Sequence, residues 1–255
     1  MKVAVIGAGV MGEALIAGLQ RFGVSDIAIV EKNEARRDEI VTKYGVSVGG
    51  VEECDVVLLV TKPQDLDGVV TGLRLKSSAL VISFAAGKKT AGIEALLPEE
   101  FRVVRVMPNT PLLISNGMSA VSAGKNATSE DIEWVRSFLL TSGKVIVVPE
   151  ELQDAVTATS GSGPAYFFAM VEAMAGAAEK LGVSSDDAMT LAKETLIGAA
   201  AMLKESGKDA KTLRENVTSP KGTTAAALAK LSEANFDGLV YEAMKAARDR
   251  SIELS

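Results

Sequence analysis

The sequence predicts an α/β chain in which a doubly wound, mostly parallel sheet is followed by an all-helical region. Three observations carry this. Short β-branched runs alternate with helical patterns as far as about residue 148, the runs are apolar along their whole length, and strand-like runs stop after Pro149. Strands buried on both faces and separated by helices belong to a parallel sheet covered on two sides. The boundary is expected between residues 149 and 150, giving one domain over 1–149 and a second over 150–255.

The predicted strands are Val3–Ile6, Ile27–Val30, Val56–Val60, Leu80–Phe84, Val103–Val106 and Val145–Val148. Beyond residue 150 apolar residues recur at helical spacing, with interruptions at Ser160–Pro164, around Gly182–Ser185 and from Ser206 to Pro220. These helices carry many small residues, and the last part of the chain is again amphipathic, so close helix contacts are expected within the fold or between subunits.

Composition narrows the function classes. A length of 255 residues suits one or two domains, and 47% hydrophobic with 24% charged residues is ordinary for a globular protein. The net charge of −6, with basic residues scattered among acids, offers no field for nucleic acid. Cys54 is the single cysteine and is expected as a reduced, buried thiol, which suits the cytosol. No apolar run reaches the roughly 18 residues of a membrane span, and the N-terminal apolar stretch is too brief for a signal peptide. The absence of histidine removes the commonest general acid and metal ligand, and no metal site is expected.

The first strand runs directly into Gly7-Ala8-Gly9-Val10-Met11-Gly12, which opens a helical pattern. A glycine triplet between a strand and a helix is the dinucleotide fingerprint: Gly7 allows the turn, Gly9 lets backbone approach a pyrophosphate, and Gly12 allows close packing. The helix N-terminus favours the phosphate charge. At the end of the second strand, Glu31 stands where an acid binds the ribose hydroxyls of NAD(H), while Lys32, Arg36 and Arg37 suit the 2′-phosphate of NADP(H). The choice stays open, with a slight lean to NADP(H). Two further loops, Val60-Thr61-Lys62-Pro63-Gln64 and Ser83-Phe84-Ala85-Ala86-Gly87, leave the carboxyl ends of strands, where open α/β sheets hold ligands.

In the second domain, Ser219-Pro220 reads as a helix start, with Ser219 as N-cap and proline in the first turn. The amides of Gly222, Thr223, Thr224 and Ala225 would then be free donors, suited to a carboxylate.

Four segments together resemble the pyrroline-5-carboxylate reductases: Lys62-Pro63-Gln64, Arg105 to Pro111, Ser160 to Tyr166, and Val217 to Thr224, the last flanked by Leu213 and by Ala227-Leu228. The last is the most specific, and it departs from the family at Lys221, where glycine is most often found. The resemblance implies a Rossmann domain joined to a helical dimerisation domain, with homodimers often assembled into rings. It implies hydride transfer from NAD(P)H to the C=N carbon of 1-pyrroline-5-carboxylate, giving L-proline. Thr224 would bond the ring nitrogen, backbone around Thr223 to Ala226 would hold the carboxylate, and Glu150 and Asn216 fall at substrate-pocket positions. A threonine hydroxyl is a weak acid, so orientation of an iminium protonated from solvent is the expected role. The rival readings are a related imine or β-hydroxyacid oxidoreductase with another substrate, and a non-catalytic NAD(P)-binding sensor.

Overall fold

The computed structural model describes residues 1–254 and divides into two compact units, one of Met1–Ser162 with Lys245–Ser255 and one of Gly163–Met244. The boundary expected at 149/150 marks the end of the strands, whereas the first unit keeps residues 150–162 and also takes up the last ones.

The first unit is built on an eight-stranded sheet of order β3-β2-β1-β4-β5-β6-β7-β8. Its strands are β1 (Lys2–Ile6), β2 (Asp26–Val30), β3 (Ser47–Val48), β4 (Val56–Leu59), β5 (Leu80–Ser83), β6 (Arg102–Met107), β7 (Gly117–Ala123) and β8 (Gly143–Val147). All neighbours are parallel except β6 and β7. Six strands fall where the sequence predicts them. The other two, β3 and β7, lack a β-branched run: β3 is two residues long, and Gly-Met-Ser-Ala-Val-Ser-Ala in β7 is mostly small residues that enter the sheet through their neighbours.

Alternate residues of each strand serve opposite faces. Val3, Val5, Ile29, Leu58 and Ile82 join one core with α1 (Val10–Phe22), α2 (Glu34–Tyr44) and α5 (Ser129–Leu140). Ala4, Ile6, Val57, Leu59 and Val81 join the other with α3 (Pro63–Gly72) and α4 (Thr90–Glu94). Cys54 is fully buried in this second core, and burial pushes its thiol pKa up. The expected interruption at Ser160–Pro164 is instead helical: α6 (Gln153–Val156) runs into a π turn over Thr157–Gly161 and then into α7 (Gly163–Lys180).

The second unit is helical. It holds α7, α8 (Ser185–Glu205), α9 (Ala210–Asn216), α10 (Thr223–Glu233) and the first part of α11 (Phe236–Glu253). Helix α9 lies inside the expected break at 206–220, and Asn235, at φ 53°, separates α10 from α11 in a conformation that asparagine tolerates better than most residues. Its buried apolar core consists of Ala175, Ala188 and Ala192 between α7 and α8. Phe167, Phe168, Leu191, Ile197 and Leu239 are all more than half exposed.

Candidate active site

The winding of the sheet reverses between β1 and β4, and ligands of open α/β sheets lie at such a switch, outside the carboxyl ends of the strands. A crevice of about 330 Å³ opens there, lined among others by Gly7, Gly9, Glu31, Lys32, Thr61 and Lys62. Gly7 has φ +97°, and a Cβ on it would approach the Val60 carbonyl oxygen to 2.8 Å. At Gly12 a Cβ would lie 2.0 Å from the Gly7 carbonyl oxygen, so Gly12 packs against the turn itself. A Cβ on Gly9 would meet nothing within 4 Å, which leaves open space over the loop where α1 begins. Glu13 N–H makes the first helical bond, to Gly9, so the amides of Val10, Met11 and Gly12 are left as end donors. The Thr61 hydroxyl oxygen is buried in the crevice wall with no protein partner. Open space, end amides and an orphaned hydroxyl together fit a dinucleotide pyrophosphate.

The residues after β2 divide the work. Glu31 accepts from the backbone amides of Ala8 and Asn33, both at 2.9 Å, so its carboxylate ties the glycine loop to the end of β2. Arg36 does not face the crevice with a free guanidinium: it donates to the Ala8 carbonyl at 2.9 Å and pairs with Glu13 and Glu39. Arg37 pairs with Asp38. Lys32 is exposed on the crevice rim and has no hydrogen-bond or ion-pair partner among the described residues.

Lys62 and Pro63 form the N-cap and first position of α3, which explains the proline. Ala85, Ala86 and Gly87 leave β5 at the same sheet edge but do not line the crevice; Gly87, at φ +77°, lies under Ser251 and Leu254. The Arg105–Pro111 and Ser160–Tyr166 segments meet: Asn109 donates to the Ser160 hydroxyl at 3.4 Å, and a Cβ on Gly161 would strike the Met107 side chain. Glu150 accepts from both the amide and the hydroxyl of Thr90, at 2.8 and 2.7 Å, and pairs with Arg105. Its two oxygens are therefore engaged within the first unit.

In the second unit the predicted helix start is displaced. Helix α10 begins at Thr223 with Gly222 as N-cap, not at Pro220 with Ser219. The physical reason is Lys221, whose φ of 59° is left-handed and cannot continue a right-handed helix. Ser219 to Gly222 instead form a turn closed by Gly222 N–H on the Ser219 carbonyl at 3.0 Å, so the Gly222 amide is occupied. Ala226 N–H makes the first helical bond, to Gly222, leaving Thr223, Thr224 and Ala225 as end donors. The Thr224 side chain is half-buried and its hydroxyl has no partner among the described residues, while Asn216 is exposed at the end of α9. The unit's large cavity, about 550 Å³ between α9, α10 and α11, contains none of the expected substrate residues.

Comparison with known proteins decides among the readings. Residues 150–254 match the pyrroline-5-carboxylate reductase dimerisation family, and residues 2–87 match the family described as NADP oxidoreductase, coenzyme F420-dependent. The pyrroline-5-carboxylate reductase of Corynebacterium melassecola is 41% identical, over 99% of this chain and 98% of its own. The chain belongs to the pyrroline-5-carboxylate reductase family. A reductase of Methanosarcina acetivorans is 40% identical over 99% of this chain and 97% of its own. The structure of the Coxiella burnetii pyrroline-5-carboxylate reductase superposes with a TM-score of 0.90 at 34% identity, covering 100% of this chain and 98% of that one. That of the Plasmodium falciparum enzyme, solved with NADP bound, gives 0.85 at 28% identity, with the same coverage. The expected departure at Lys221 falls where the backbone takes a positive φ of 59°, a conformation that glycine adopts more readily than lysine.

Sequence reasoning missed Arg105, Thr90 and Asp154 as a group. The available signal was an arginine flanked on both sides by valines in the interior of β6, Arg-Val-Val-Arg-Val-Met.

Proposed function

We propose that this chain reduces 1-pyrroline-5-carboxylate to L-proline with NAD(P)H, and the observation that carries the substrate assignment is the start of α10. There three end amides and an unpartnered threonine hydroxyl lie within one helical turn. The amides of Thr223, Thr224 and Ala225 suit the substrate carboxylate, and the Thr224 hydroxyl suits the ring nitrogen. Asn216 and Ser219 border this turn. A bound NAD(P)H supplies the hydride. The protein's part is to hold the imine carbon against it in contact geometry, and solvent protonates the nitrogen.

In the crevice, the end amides of α1 with Gly9 and Thr61 receive the pyrophosphate, and Lys32 is the cation left to meet a 2′-phosphate, which favours NADP(H). The exposed apolar faces of the helical unit are the surfaces of a homodimer, and the buried reduced Cys54 suits the cytosol. No helix of the described residues is long and apolar enough to cross a membrane.

The test is oxidation of NADPH and NADH, followed separately with and without DL-1-pyrroline-5-carboxylate. Substrate-dependent oxidation with NADPH preferred is the expected result; a folded protein that binds dinucleotide yet oxidises none with this imine has another substrate. Thr224→Val should lower kcat about tenfold or more with dinucleotide affinity unchanged. Lys32→Ala should lower kcat/KM for NADPH several-fold and leave that for NADH in place, and an equal loss for both would remove Lys32 from the 2′-phosphate.

A further inference from the structure

Apart from the residues that line the crevice, the first unit holds a second group of polar side chains withdrawn from solvent. Arg105, on β6, is 1% exposed, and its guanidinium meets Glu150 at 3.4 Å and Asp154 at 3.5 Å. These separations are long for charge-assisted bonds, which run nearer 2.8 Å. The carboxylates make their short contacts elsewhere. Glu150 takes both the amide and the hydroxyl of Thr90, and Asp154 takes the hydroxyl of Ser251 at 2.7 Å. Arg105 thus balances the charge of two carboxylates whose positions are set by Thr90 and Ser251.

Both of those residues bear on one loop. Thr90 ends the segment that begins at Ala85, and Gly87 in its middle lies beneath the end of α11, where a Cβ would come within 2.6 Å of the Ser251 carbonyl oxygen and 2.7 Å of the Leu254 Cβ. The segment is therefore fixed at its middle and at its end by a single buried cluster. An ion cluster of this kind adds little stability over apolar side chains of the same volume, so its value is in specifying position. The glycine loop and the end of β2 serve the adenosine and pyrophosphate, and the strands across the switch point, β4 to β6, carry the other mononucleotide half.

We propose that Arg105, Glu150, Asp154 and Ser251 are positioning residues that hold the Ala85–Gly87 loop, which stands outside the crevice at the same sheet edge, against the nicotinamide half of a cofactor that extends beyond the crevice, and so set the hydride geometry. The proposal rests on reading the crevice as the dinucleotide site, and it gives Glu150 a role exerted through Thr90 instead of direct contact with substrate.

The experiment uses Glu150→Gln and, as the milder variant that keeps the ion cluster, Thr90→Val. Affinities for NADPH and for 2′-phospho-ADP-ribose, which lacks nicotinamide, are measured by calorimetry, and kcat is measured with protiated and 4-deuterated NADPH. The expected result is unchanged affinity for the truncated ligand, at least a threefold loss for NADPH, a fall in kcat of about tenfold, and a larger deuterium isotope effect. Equal losses for both ligands, or a lowered melting temperature with kcat and isotope effect unchanged, would reduce the cluster to a structural role and overturn the proposal. Should the unaltered protein bind NADPH without reducing pyrroline-5-carboxylate, the substrate reading fails while the affinity difference still decides the positioning role. Should it bind neither ligand, both readings fall together.

Discussion

The two units bury their apolar side chains to very different degrees. The first encloses valine, leucine and isoleucine on both faces of its sheet, with Leu15, Ile29, Leu58 and Ile82 fully withdrawn from water. The second encloses three alanines, and Phe167, Phe168 and many of its leucines stay exposed. At roughly 25 cal/mol per Å² of apolar surface, the first unit gains far more from its own burial than the second does, and association is expected to supply what the second lacks. A Rossmann fold with a small-residue helical appendage thus joins a half that encloses a large apolar core to one that encloses very little.

The strongest way to break that comparison is Phe167→Glu with Phe168→Glu. In a self-sufficient unit, charges on residues 58% and 63% exposed would be nearly neutral. Here they should convert the protein to monomers by sedimentation and lower activity more than about tenfold, because a charge buried at an apolar interface is costly. Unchanged mass and activity would mean these faces are simply surface.

A smaller effect is expected inside the first unit. Glu13 accepts from Lys43 at 2.8 Å, from Arg36, and from Tyr44 at 3.0 Å. These partners, the Lys43 hydrogen bond foremost, hold its carboxyl down at about 2 against an ordinary 4.5. A group with a depressed folded pKa contributes stability that is present above the unfolded value and is lost as pH falls through the folded one, here between about 4.5 and 2. Glu13→Gln should cost about 1.5–3 kcal/mol at neutral pH and flatten the acid limb of the melting curve. The loss should be independent of protein concentration, in contrast to that of the phenylalanine variants.

The smallest effect is a gain. Lys221→Gly relieves a side chain held at φ 59° and should stabilise by about 1 kcal/mol, readable as a rise of a few degrees in melting temperature. No change would mean that the turn relaxes around the lysine without strain.

The same contrast governs what was legible in the sequence. Strands such as Val56–Leu59 announce themselves because they are apolar on both faces, and the glycine loop does so because strand, turn and helix follow without a gap. Strand β7 does not, since Ser119 and Ser122 are buried polar residues satisfied or enclosed by neighbours far along the chain. The start of α10 was misplaced by three residues because Ser-Pro is a good local cap, and only the left-handed Lys221 shows that the turn continues. The Arg105 cluster was invisible for a different reason: its bonded partners stand 45 to 97 positions apart, and no local spacing connects the arginine to its carboxylates.

The first unit is discontinuous along the chain, with residues 245–255 returning to it after the whole of 163–244. During synthesis, Asp154 must therefore wait for the hydroxyl of Ser251, and Gly87 for its cover, until the intervening helices have all been made. The glycine loop and the β1–β4 crevice can form early, but the loop at Gly87 cannot take its final shape on a partly made chain. A nascent chain stalled before residue 245 already holds every residue that lines the crevice, while the cover that Ser251 and Leu254 place over Gly87 is still missing.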